Sequence, residues 1–331
     1  MIALLLLACG DGAAPGVARA PELLDTGAAP DPGLDDDAIA ALAADAFALV
    51  MDLGVAPAWA GMQASVAAVD GACPAVYAGP PPSLASQSDA GWSWDDACAT
   101  DAGADFLGHL WWSASLAQVD AQGQEPARVE GARSLEGEAG LDVDGALRFA
   151  FHGSLEDSLS LSLDESEPGW QHTTVLAAAV AGEAAVSADG PSPGGWQADG
   201  RISVTGGPQQ TFSMAVDAAF EEPAIDGQLQ ALAATLVWSD AQVGTLCDLE
   251  PDGVLSLFTA GGAWIDLGFE SGAGDLDGAS TCDGCARMSV DGEPTGRLIC
   301  TDLRFVWDGR LAPPALEDFV DTPRAIGLEG A

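Results

Sequence analysis

Seven cysteines and three histidines are the residues of this chain best suited to chemistry, and spacing separates their tasks. Cys9 follows Leu6-Leu7-Ala8 at the end of an apolar run that starts at Ile2. An apolar stretch with a small residue directly before a cysteine resembles a lipobox, which predicts that the preceding segment is a secretory signal and that the thiol carries lipid. The usual cationic start is missing, and the run is far shorter than the ~20 residues of a membrane span. Setting Cys9 aside leaves Cys73, Cys98, Cys247, Cys282, Cys285 and Cys300. An even set in an exported protein reads as a disulfide framework, because an oxidising compartment lets such bonds persist. Proximity favours Cys73–Cys98, a tight Cys282–Cys285 bridge, and a Cys247–Cys300 bridge tying two strands.

Other chemistries are weaker. Cys282-Asp-Gly-Cys285 has the spacing of a redox or zinc motif, but a redox site starts a helix and this one lies in a Gly/Asp turn between strands. His109, His152 and His172 are too scattered to argue a metal triad, and His152 falls on the outward parity of its strand. No nucleophile elbow, zinc-protease helix, phosphate loop or dinucleotide fingerprint is present. The expectation is therefore no catalytic residue, no metal, no cofactor and no enzyme. Asp142-Val-Asp144-Gly145 and Asp275-Leu-Asp277-Gly278 look like fragments of calcium loops but lack the closing glutamate. Of ten tryptophans, those such as Trp264 and Trp307 lie within alternating runs and read as core.

Charge narrows the partners. The net charge of -41 arises without a single lysine, and asparagine is also absent. The pair share a codon class, so a GC-rich genome accounts for their joint absence. The acidity goes further than that, and a negative surface repels nucleic acid and anionic head groups. Nucleic acid is excluded as a partner; a protein, a glycan or a divalent cation is not.

These residues need elements to position them. Residues 10–32 are small, polar and rich in Pro and Gly, a composition that buries too little to fold and suits a tether. Asp35-Asp36-Asp37 then favour the positive end of a helix over 38–53, closed by Gly54. A second helix is expected over 58–69, with Trp59, Met62, Val66 and Val69 on one face. From Cys73 the period becomes two. Leu147, Phe149 and Phe151 share a parity, as do Leu159, Leu161 and Leu163, then Phe212, Met214, Val216 and Phe220. Ile265, Leu267 and Phe269, and Leu303, Phe305 and Trp307, repeat the pattern. Asp-Gly turns at 144–145, 189–190, 226–227, 252–253, 277–278 and 291–292 punctuate the runs. About ten to fourteen strands joined by hairpins make an antiparallel meander, closing as a sandwich, a barrel or one long curved sheet. The aromatic stretch Phe106 to Trp112 lacks clean alternation, which predicts burial on both faces, and 188–200 is the best internal boundary or a long hairpin loop.

Two patches carry a family likeness. Cys73-Pro-Ala-Val with Trp94-Asp-Asp-Ala-Cys98 and Gly103-x-x-Phe-x-Gly108 resembles the N-terminal cysteine segment of myxobacterial-type cell-envelope lipoproteins. Cys282-Asp-Gly-Cys285 with Val290-Asp-Gly-Glu and Gly296-x-x-x-Cys300 resembles their C-terminal segment. The resemblance covers about a quarter of the chain, and its motifs are far weaker than enzyme signatures. It implies an envelope lipoprotein of unknown function and carries over no catalytic residue.

The sequence thus reads as a signal segment over 1–8, a tether over 9–34, helices over 35–70, a mainly β domain over 71–312 and a tail over 313–331. The expected role is non-enzymatic, binding or structural, at an outer membrane or cell surface rather than the inner membrane, with the membrane engaged through Cys9. The alternatives are a secreted hydrolase with an unrecognised carboxylate site, or a weak calcium-binding surface protein.

Overall fold

The computed structural model describes residues 33–67, 75–78, 86–94, 104–120, 126–163, 169–182, 194–207, 210–239, 251–269, 284–301, 303 and 315–319. Helix α1 (Asp36–Met51) begins where the aspartates stand: the Asp35 side chain accepts a hydrogen bond from the Ala38 amide at 2.8 Å, and Asp36 and Asp37 occupy the positive first turn. Helix α2 (Val55–Ala67) starts earlier than expected, because Pro57 is tolerated in a first turn where its missing N–H is not needed. The two helices meet at an angle of 71°. Among the described residues no single helix is long and apolar enough to cross a membrane.

The sheet follows. Its strands are β1 (Ala75–Ala78), β2 (Ser86–Trp94), β3 (Ala104–Asp120), β4 (Pro126–Val143), β5 (Ala146–Ser162), β6 (Trp170–Ala181) and β7 (Gly195–Gly206). They continue as β8 (Thr211–Pro223), β9 (Leu229–Ser239), β10 (Asp252–Thr259), β11 (Trp264–Phe269), β12 (Cys285–Val290) and β13 (Glu293–Cys300). Among the described residues these form one thirteen-stranded antiparallel sheet in strict sequence order. The meander is long, curved and unclosed. Strand β6 pairs β7 without interruption, so the segment expected as an internal boundary joins two neighbouring strands.

Two hairpins show why the order is sequential. Asp144 and Gly145, at φ 52° and 78°, link Val143 to its direct partner Ala146; Asp291 and Gly292, at 50° and 86°, link Val290 to Glu293. Two residues at positive φ give the turn whose twist matches the strands. The expected turn at Asp252-Gly253 is different: both residues already belong to β10, paired with Val237 and Leu236.

Alternation sets the two faces. On β3, Leu110, Trp112, Ala114 and Leu116 are buried while His109, Trp111 and Ala117 are exposed. Burial on both faces is therefore wrong for the part of this stretch whose side chains are described: Trp111 is 42% exposed. The inner face is covered by the helices. Phe47 of α1 meets Phe212 of β8 and Trp238 of β9 at 5.7 and 5.6 Å between ring centroids, and Trp59 of α2 lies 5.0 Å from Trp112 of β3. One hydrophobic cluster contains both helices and the sheet. Burial fades at the end of β5: Leu159 is buried, yet Leu163, just past the strand, is 42% exposed.

Glycine supplies the curvature. Gly137 and Gly153 lie directly opposite one another on the inner parity, at φ 140° and 119°. A Cβ on Gly153 would strike the Ala177 carbonyl oxygen of the neighbouring strand. These positions let the strands coil and approach closely, as a sheet wrapped around a helix pair requires. At the far edge Arg297 of β13 donates to Asp36 and, at 3.2 Å, to the Leu34 carbonyl, which ties the start of α1 to the last strand.

Candidate functional site

Chemistry gathers on each face of the sheet. On the inner face Arg133 of β4, Asp157 of β5 and Thr174 of β6 lie directly opposite one another. Arg133 Nε donates to Asp157 Oδ2 at 2.8 Å, and Thr174 Oγ1 donates to Oδ1 at 2.8 Å. His172 Nε2 stands 3.7 Å from the same Oδ1 and within hydrogen-bond reach of no partner. Burial pushes the Asp157 carboxyl up, but His172, the Arg133 guanidinium and the Thr174 hydroxyl outweigh it and hold the group below its ordinary 3.8. At 3.7 Å the histidine is beyond hydrogen-bond length, so Arg133 and Thr174 do most of the holding.

This network is roofed over. The Phe319 ring, on the short 3-10 turn Leu316–Phe319, lies 5.1 Å from the Arg133 guanidinium carbon. It also fills the space over Gly131, where a Cβ would come within 2.9 Å of the ring. Gly54, between the helices, sits over the Thr174 methyl. Asp157 is 4% exposed and lines neither of the solvent-open troughs described next. A carboxylate so enclosed binds its own fold together.

The outer face is open. At one end of the strands a trough of about 660 Å³ has a floor of Gly140, Ala150, Ala179 and Ala181 and walls that include His109, Glu138, His152 and Glu221. At the other end a second trough, about 670 Å³, is edged by Ser115, Ser158, Ser160, Thr173, Ser203 and Ser213. Ser115, Ser158, Thr173, Ser203 and Ser213 fall on one cross-strand row, interrupted by Ala132. Trp111 lies exposed on the same face. Hydroxyls at strand spacing and an exposed indole can hydrogen-bond and stack on a polar ligand without any covalent step.

The sequence-level candidates separate accordingly. Cys285 and Cys300 are directly opposite and disulfide-bonded. This corrects the expected Cys282–Cys285 and Cys247–Cys300 bridges: the β12–β13 register, which starts at the Asp291-Gly292 turn and shifts at an irregularity between Arg287 and Ser289, brings Cys285 to Cys300 whatever lies nearer in sequence. Cys9, Cys73, Cys98, Cys247 and Cys282 lie outside the described residues, as do Asp275, Asp277 and Trp307. Asp142-Val-Asp144-Gly145 is the β4–β5 turn, and Trp264 is buried against Phe258 at 5.2 Å. His109 and His152 come onto one outer row, while His172 lies on the inner face. Among the described residues no group of three His, Cys, Asp or Glu side chains is gathered tightly enough to hold a metal ion.

Asp157 went unread in the sequence because one aspartate among 51 acidic residues carries no signal of its own. Its signal was parity: it shares the inward face with Leu155 and Leu159. Compared with protein-family models, curated proteins and solved structures, the chain matches none.

Proposed function

We propose that this is a lipid-anchored cell-envelope protein that binds a partner non-covalently on the outer face of its curved sheet. Leu6-Leu7-Ala8-Cys9 supplies the anchor, and the segment after it supplies the tether. The observation that carries the reading is the Cys285–Cys300 disulfide, since a bond of this kind persists in an oxidising compartment such as an envelope. The outer membrane or cell surface fits better than the inner membrane, as Gly10-Asp11 after the cysteine gives no evident retention signal. Two open troughs support binding, and the enclosure of Asp157 gives no support to a hydrolase built on that carboxylate.

Metabolic labelling with a palmitate analogue tests the anchor. The wild-type chain takes up label and partitions with membranes, and Cys9→Ser loses both. Label that survives in Cys9→Ser would sink the proposal.

A further inference from the structure

The chain has three histidines, and the fold brings two of them to one row. His109 of β3 is directly opposite Glu138 of β4, and Glu138 is directly opposite His152 of β5. All three side chains are exposed on the outer face and line the same trough. None of the three has a hydrogen bond or ion pair among the described residues. Neighbouring strands lie about 4.8 Å apart, so the backbone positions of the two histidines flank that of the glutamate at roughly 10 Å from each other, within the combined reach of two imidazoles to one ion.

We propose that His109, Glu138 and His152 form a site for one borderline transition-metal dication, of which zinc is the type. Two neutral imidazoles and a carboxylate are the donor set such an ion prefers, and three protein ligands leave a fourth position open. Calcium and magnesium want more oxygens than this row offers. As the side chains stand, no group of three among the described residues is gathered to hold a metal ion, this row included. The register supplies the spacing, and rotation of three exposed side chains supplies the closure. Asp142 and Glu221 on the same trough, within a chain of net charge -41, raise the local cation concentration. The small floor residues Gly140, Ala150, Ala179 and Ala181 leave room for the ion and its open position. The site stands independently of the anchor at Cys9.

Calorimetric titration of the oxidised, folded protein with zinc chloride decides the matter, with millimolar calcium present to occupy the general acidic surface. The expected result is one calcium-resistant zinc per chain. His109→Ala, His152→Ala and Glu138→Gln each weaken it by at least about tenfold. Glu156→Gln, which removes an exposed carboxylate further along β5, leaves it unchanged. The altered residues are exposed, so the metal-free melting temperatures stay at the wild-type value, and that is measured alongside. Absence of calcium-resistant binding overturns the proposal. So does zinc binding that persists in the His109→Ala/His152→Ala double variant, because the acidic surface alone would then account for it.

Discussion

Asp157 is held at low pKa by Arg133 and Thr174 on either side, with His172 nearby and burial opposing. A group whose folded pKa lies below its unfolded value contributes stability above the unfolded value and loses it as pH falls through the folded one. The contribution is therefore complete well above pH 3.8 and fades below it. Asp157→Asn removes the charge opposite a largely buried arginine and is expected to cost about 3–5 kcal/mol near neutral pH. Urea midpoints measured from pH 7 to pH 3 check both points: the wild type weakens as the acid limit nears, and the variant's midpoint starts lower and changes less. A variant as stable as wild type at pH 7 would mean the ion pair is dispensable. Nothing in composition marks these residues. What marks them is a charged side chain on an apolar parity, and that parity becomes readable only once the strand boundaries and register are known.

At the scale of elements, legibility tracked local chemistry. The aspartate cap of α1 and the Asp-Gly hairpins at 144–145 and 291–292 depend on residues a few positions apart, and each forms where its residue types dictate. Errors arose where partners are chosen by register rather than proximity. Cys285 is nearer Cys282 in sequence, yet the β12–β13 ladder sets it against Cys300. Peptide mapping of the oxidised protein is expected to recover Cys285 linked to Cys300; a Cys282–Cys285 peptide would contradict the register. Replacing both Cys285 and Cys300 by alanine opens a loop of sequence separation 15. The expected loss is about 3 kcal/mol, seen as a lower urea midpoint under oxidising conditions. The outer-face histidines follow the same logic: their distance along the chain conceals a shared row that only strand pairing creates.

For the whole molecule, the helical pair and the sheet form one body. Helix α1 packs on β8 and β9 and is tied to β13 through Arg297, while α2 lies against β3, β4 and β5. Among the described residues the inner face of the sheet packs against the helices, while the outer face carries both troughs. The account therefore rests most heavily on location: an exported, oxidised, lipid-tethered body presenting that face. Intact-mass spectrometry of the protein extracted from membranes and alkylated without reduction tests this most directly. The account predicts a chain that begins at Cys9, carries the mass of its lipid and takes up no alkyl group. A chain that retains Met1, lacks lipid and alkylates at several thiols would contradict it.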